Sequence, residues 1–259
     1  MTISNNLILP SDTRCNLKEL KGKIENYHLF LNKCVKFSKF DGEYEVKKEL
    51  PEVKEGALSL PLQFVKKQKY VLESYRSRGY EVDVYEFRPY ERVIVGLGQE
   101  SIREVSMTLH WIYGIPYIPG QAVKGVVSNW IEMNGGTDEN YEKVFGTTSS
   151  KGQVMFLDSY PADDSFCIKN DIMNPHYTDY YSKGREPADW CDPNLVLFLT
   201  VEKAVFHIPL VYLTREAKSL KISGKTLEEW MVEAFEYGGI GAKTSLGYGV
   251  GDIRLIGGR

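Results

Sequence analysis

Apolar residues recur at Leu17, Leu20, Ile24, Tyr27, Leu31 and Val35, so the near-3.6 spacing predicts an amphipathic helix over residues 16–37. Residues 38–58 are charged, contain Pro51 and read as loop. Leu60-Pro61 opens a second predicted helix, 62–78, that Gly79 ends. Residues 80–87 set Val82 and Val84 in alternation with polar neighbours, as a half-buried strand does, and Arg92-Val-Ile-Val-Gly96 is a short apolar run. Helical spacing returns over 120–133 and 139–145, and a strand is expected over 153–160. Residues 161–193 form a long aromatic and polar insertion. Two strands, 195–201 and 204–213, are expected to pair through a tight turn at Glu202-Lys203. Leu227, Trp230, Met231, Ala234 and Phe235 give one apolar face to a last helix over 227–237, after which come a glycine-rich loop and a strand reaching Ile256. Strands and helices mix without strict alternation, which points to α+β rather than a doubly wound sheet. The organisation expected is a helical extension, residues 1–79, packed on a domain of residues 80–259.

Composition narrows this picture only in places. At 259 residues, 42% hydrophobic and 26% charged, the chain has ordinary globular proportions. No apolar run approaches the ~20 residues of a membrane span. Met1-Thr-Ile-Ser-Asn-Asn lacks the charged and apolar regions of a secretory signal, so a cytoplasmic location with no membrane partner is expected. Cys15, Cys34, Cys167 and Cys191 are scattered without a C-x-x-C pair, which fits reduced packing cysteines better than a zinc site. A formal charge of −3 and a pI of about 5.9 argue against a free-standing, non-specific nucleic-acid binder. A local basic groove is compatible with that charge, because screening weakens distant acids.

The densest chemical signal is Gly239-Ile-Gly-Ala-Lys-Thr-Ser-Leu-Gly-Tyr-Gly249, two glycine clusters around Lys243, Thr244 and Ser245. Glycines at that density allow positive φ and close backbone approach. Successive N–H groups in such a turn form an anion-binding concavity, to which Lys243 adds a full charge. A Walker A loop is excluded: its glycines would fall on Tyr237 and Ala242, and the helix precedes the loop instead of following it. A helix C-cap at Gly238-Gly239, or a plain tight connection, explains two of the glycines but not the symmetric pair of clusters.

Gly114-Ile-Pro-Tyr-Ile-Pro-Gly-Gln-Ala-Val-Lys-Gly125 is a second candidate. Pro116 and Pro119 enforce an extended entry, so a helix starts near Gly120 and Gln121 with its free N–H groups facing the loop. Lys124, one turn in, is poorly placed against the helix dipole unless an anion lies between them; the bland alternative is a solvent-pointing lysine.

These stretches, with Val95-Gly-Leu-Gly98, Phe145-Gly146 and Gly152-Gln-Val-Met-Phe-Leu-Asp-Ser-Tyr-Pro161, resemble the RAMP superfamily of CRISPR proteins over roughly residues 92–256. Asp171-Ile-Met-Asn-Pro-His-Tyr177, followed by Tyr180-Tyr181 and Asp189-Trp190, is similar to the family of sixth subunits of the type III-B (Cmr) effector complex. The resemblance implies a ferredoxin-like (RRM-like) βαββαβ core with insertions. It implies a non-catalytic subunit near one end of a helical filament, holding the 3′ part of the CRISPR RNA beside the target RNA. Its neighbours would be the repeated backbone subunit and the first RAMP subunit. On this reading the RNA-binding residues are Gly120, Gln121, Lys124, Gly239, Gly241, Lys243, Thr244, Ser245, Gly247, Tyr248 and Gly249, joined by Arg103, Lys151 and His176. Phosphate and 2′-hydroxyl contacts need N–H nests, lysines and hydroxyls, and such residues supply them without cofactor or metal.

Two other classes compete. A metal-independent ribonuclease of the same superfamily would need a general acid and base, usually including His. Of His28, His110, His176 and His207, the first reads as surface, His110 and His207 as structural, and His176 as a contact to RNA or to its own loop. The acidic run Asp158, Asp163, Asp164, Asp171 and Asp179 has no metal-ligand spacing, and Asp171 is expected to order its own segment through backbone hydrogen bonds. A protein-only adaptor would suit the acidic pI but leaves the two phosphate-suited loops unexplained.

Overall fold

The computed structural model describes residues 25–33, 37–40, 43–46, 50–103, 105–174, 184, 186 and 195–258. Near the N-terminus a short helix, α1 (Tyr27–Lys33), precedes a hairpin of β1 (Phe37–Phe40) and β2 (Glu43–Val46). The periodic helix predicted over 16–37 is therefore helical only from Tyr27 to Lys33 among the described residues, and Phe37 already belongs to a strand. The stretch read as loop from 38 contains that hairpin. Its strands are separated by Asp41-Gly42, the dipeptide that two-residue hairpin connections favour, and this signal outweighs the charged composition.

Helix α2 (Leu62–Ser77) ends at Gly79, whose φ of +85° is easy only for glycine. It leads to β3 (Glu81–Pro89), then to α3 (Gly120–Met133) and α4 (Glu139–Phe145). Next come β4 (Val154–Phe156), β5 (Tyr160–Pro161), β6 (Cys167–Met173), β7 (Val196–Glu202) and β8 (Phe206–Tyr212). Beyond β8 lie α5 (Arg215–Ser219), the two-residue strands β9 (Lys221–Ile222) and β10 (Lys225–Thr226), α6 (Leu227–Glu233) and β11 (Gly251–Gly258). The boundaries predicted for α3 and α4 match those observed.

The main sheet is antiparallel, in the order β11-β3-β8-β4, with β5 also paired to β8. Helix α3 and helix α6 with the turn that follows it pack on each other and on this sheet, through Val123, Val127, Ile131, Trp230, Met231 and Phe235 at 3% exposure or less. The alternating apolar positions of β3 and β8, Tyr85, Phe87, Phe206, Ile208 and Leu210, complete that core. Burying such side chains contributes about 1.5–3 kcal/mol each.

One predicted pairing is wrong. The strands on either side of Glu202-Lys203 do not pair with each other: β7 joins β6 in a separate two-stranded ribbon, while β8 joins the main sheet. Both edges of β7 are taken, by β6 on one side and by Val93 on the other, through Val93 N to Val201 O and Val201 N to Val93 O, each 2.9 Å. The chain turns at Lys203, in the left-handed region at φ +58°, and carries β8 to Phe87 instead. The ribbon draws its first strand from residues 161–193, read from sequence only as insertion.

Candidate nucleic-acid interface

Thr226 and Glu229 form a capping box at the start of α6. The helix then loosens into one π turn, Ala234–Gly238, and stops at Gly239, whose N–H donates to Ala234 O at 2.8 Å. The glycine loop that follows is clamped on the extended segment 92–94. Ala242 N donates to Ile94 O at 2.8 Å, Gly249 N to Arg92 O at 2.7 Å, and Ile240 N closes the loop on Gly249 O at 2.8 Å. Val93 faces the ribbon while Arg92 and Ile94 face the loop, the alternation expected of a strand edge. A Cβ on Gly241 would lie 2.1 Å from Ile94 O, and one on Gly249 would lie 1.9 Å from Ile240 O. Glycine at these two positions is what permits the clamp.

Between the clamped ends, Lys243 takes a left-handed conformation at φ +61°, which a side-chain-bearing residue adopts only under external constraint. It caps a single 3-10 turn, Thr244–Leu246, closed by Leu246 N to Lys243 O and Gly247 N to Thr244 O, both 2.9 Å. The N–H groups of Gly241, Lys243, Thr244 and Ser245 meet no acceptor among the described residues. Ser245, Leu246 and Gly247 are exposed.

The ribbon holds the loop from the other side. Arg92 Nη1 donates to Asp171 Oδ2 at 2.7 Å and Arg92 Nε reaches Glu202 Oε1 at 2.6 Å, spanning both ribbon strands. Tyr248 OH donates to the same Asp171 Oδ2 at 2.6 Å, and Ile172 N donates to Asp171 Oδ1 at 2.8 Å. Burial opposes the Asp171 charge, but the Tyr248 hydroxyl, the Ile172 amide and the Arg92 guanidinium together hold its carboxyl below the usual carboxylate range. Burial, followed by the Asp171 carboxylate, raises the Tyr248 phenol. Lys243 Nζ lies 2.8 Å from Met173 Sδ and 5.4 Å from the Phe198 ring centre, so it rests on the ribbon by weak contacts that an anion can outcompete. Asp171 thus makes the backbone hydrogen bond expected of it, and also ties ribbon, loop and segment 92–94 together.

The other predicted residues are dispersed. At the α3 start, Gly120 N donates to Asp158 Oδ1 at 2.9 Å, and Lys124 Nζ donates to Phe145 O at 2.6 Å, at the end of α4. A Cβ on Gly120 would lie 2.1 Å from Phe156 O, so that glycine serves helix-on-strand packing. Gln121 is exposed. Arg103 is only 7% exposed and donates from Nε to Leu31 O at 3.0 Å, anchoring its loop on α1. Lys151 is exposed and precedes Val154, which pairs with Tyr212. The loop instead enters β11 opposite Pro89, at the other end of the sheet. His176 lies outside the described residues. His110 Nδ1 accepts from Ile112 N and Tyr113 N at 3.2 and 3.3 Å, and His207 sits in β8, paired with Glu86 and Tyr160. Burial lowers the pKa of both imidazoles. Among the described residues no three His, Cys, Asp or Glu side chains are grouped as metal ligands, and no helix is long and apolar enough to cross a membrane. Sequence reasoning missed Arg92 and Glu202; the only local signal was an arginine leading into the apolar run 93–95.

The chain is mixed α+β, with an antiparallel sheet that opens at one end onto a doubly clamped glycine loop. The model of the RAMP superfamily matches residues 91–251, and the chain belongs to that superfamily. The match takes in segment 92–94, the ribbon and the glycine loop. The chain is 31% identical over 233 residues to "CRISPR system Cmr subunit Cmr6" of Pyrococcus furiosus, an alignment that covers 63% of this chain and 65% of that protein. It is 27% identical over 215 residues to "CRISPR system CMR subunit Cmr6" of Saccharolobus solfataricus, covering 81% of this chain and 72% of that protein. The chain thus spans about 65% of the length of the first of these relatives. A chain in the cryo-EM structure titled "Type III-B Cmr-beta bound to cognate target RNA" superposes with a TM-score of 0.60 at 21% identity, covering 78% of this chain and 68% of that one, a likeness of fold.

Proposed function

We propose that this chain is a non-catalytic RNA-binding subunit of a type III-B CRISPR (Cmr) RNA-guided complex, holding the 3′ part of the CRISPR RNA at one end of the backbone filament. The sheet order β11-β3-β8-β4, with helices α3 and α6 each connecting strands of it, supports a ferredoxin-like βαββαβ core into which the β6–β7 ribbon is inserted. The observation that carries the reading is the left-handed Lys243 and the N–H groups beside it that meet no acceptor among the described residues, held by a clamp from two directions. Such a turn suits a phosphodiester without reading its base. Lys243, Thr244 and Ser245 are the residues assigned to the guide phosphate. Tyr248 and Asp171 keep them in place.

UV crosslinking of a 3′-labelled guide in the co-expressed complex, followed by peptide mapping, tests this. Crosslinks are expected in residues 239–249. A complex that keeps its guide but crosslinks nowhere in that loop, or a Lys243→Ala complex with full guide occupancy, would leave the protein-only adaptor as the better account. An Asp171→Ala complex that assembles normally yet loses target cleavage would point to catalysis.

A further inference from the structure

The turn 110–114 is held from three sides. Asn26 Nδ2 donates to Trp111 O at 2.8 Å and Ile112 O at 2.7 Å. His110 Nδ1 accepts two of the turn's amides, and a Cβ on Gly114, at φ +67°, would lie 2.4 Å from Tyr27 N. Yet the side chain this turn presents, Trp111, is 75% exposed, with its ring centre 4.9 Å from that of His28 and the planes 37° apart. A rigid turn that leaves an indole in water is unfavourable for the chain alone and well suited to a flat ligand.

Beside Trp111 lies a cavity of about 420 Å³ between α1 and residues 99–109. Asn32, Gln99 and Ser106 line it and supply amides and a hydroxyl. Asn32 Nδ2 donates to His28 O at 3.2 Å, which leaves its Oδ1 as an acceptor. Thr108 also lines it at 5% exposure, and its buried Oγ1 finds no partner among the described residues. A hydroxyl buried to that degree without a partner is uncommon in a finished core and ordinary in a binding site. Lys33 and Glu100, also at the cavity, balance each other in charge, and burial with Lys33 nearby lowers the His28 pKa. The site therefore favours a neutral flat group over a phosphate.

We propose that this cavity is a nucleobase pocket in which one unstacked base lies on the Trp111 indole and turns its polar edge toward Asn32, Gln99 and Ser106. It rests on the RNA-binding reading for the source of the base. The charge balance separates it from the Lys243 loop, which takes backbone.

The test uses the full chain with its four tryptophan indoles isotopically labelled for NMR, the Trp111 signal being assigned by its loss in Trp111→Leu. Each of the four ribonucleoside 5′-monophosphates is titrated in, with ribose 5-phosphate as the base-free control. A saturable shift of the Trp111 signal by nucleotides and not by ribose 5-phosphate is expected. Saturation transfer to the base protons should weaken roughly tenfold or more in Trp111→Leu and recover in Trp111→Phe. Lys243→Met should leave this titration unchanged, so a failure of the phosphate loop and a failure of the pocket are told apart. An equal response to ribose 5-phosphate overturns the proposal, as does the lack of any saturable shift. So does a Trp111→Leu chain that binds nucleotides normally but no longer enters the assembled complex, which would make the indole a protein contact.

Discussion

The segments 120–124 and 239–249 share their ingredients, glycines and a lysine at the end of a helix, and the rest of the chain answers them differently. At the first, the anion that the helix start invites is the protein's own Asp158 carboxylate, and Lys124 is used on the carbonyl of Phe145. At the second, the amides of Ile240, Ala242 and Gly249 go to backbone carbonyls, whereas those of Lys243, Thr244 and Ser245 meet none among the described residues. A motif therefore marks an anion-shaped place without naming the anion. A carboxylate folded in from elsewhere can fill it, and only long-range structure shows which case holds.

The largest expected effect tests whether the second loop is a clamp or merely a flexible connection. Gly249→Ala places a Cβ 1.9 Å from Ile240 O at φ +67°, so backbone must move. The expected cost is about 3 kcal/mol or more, a fall in Tm of roughly 10 °C in thermal unfolding. Gly247→Ala has the same kind of positive φ, +93°, but open space within 4 Å. It should cost only about 1–2 kcal/mol. Equal losses for both would mean that the loop is not pressed against the segment beneath it.

Asp171→Asn comes next, because it keeps the shape and removes the charge that Arg92 and Tyr248 share. A loss of about 2 kcal/mol is expected. Because the folded carboxyl titrates below its ordinary value of about 3.9, the ionised tie contributes fully above that value. It is lost as pH falls through the lowered folded value. Wild type should therefore lose stability on acidification below about pH 4 more steeply than Asp171→Asn. Parallel acid limbs in pH-dependent unfolding would remove Asp171 from the clamp.

What the sequence made legible follows from range. Helices α2, α3 and α4 and strand β3 are written in local spacing, and their limits were predicted within one or two residues. The partner of β7 was not, because 196–202 and 206–212 are equally apolar and joined by three residues, a local picture of a hairpin. The competing pairings, with β6 and with Val93, lie far away in the chain. The glycine loop was legible in composition, and Asp171 stood out within its motif. Arg92 and Glu202 were not, since an arginine acquires meaning only when the ribbon brings two carboxylates to it.

The smallest effects set the two lysines against each other. Lys124→Met removes the donor that meets Phe145 O and should cost about 1 kcal/mol of stability. RNA binding by the purified chain should keep its salt dependence. Among the described residues Lys243→Met loses only contacts to Met173 and Phe198, and it should stay within about 0.5 kcal/mol of wild type. Its slope of log affinity against log salt should shrink by about 0.7, the contribution of one neutralised phosphate on a single strand. The informative quantity is the crossing of the two results: one lysine moves stability and not the slope, the other the slope and not stability. If Lys124→Met flattens the slope while Lys243→Met leaves it intact, the anion belongs at the start of α3, Asp158 is its displaceable stand-in, and the two segments exchange roles.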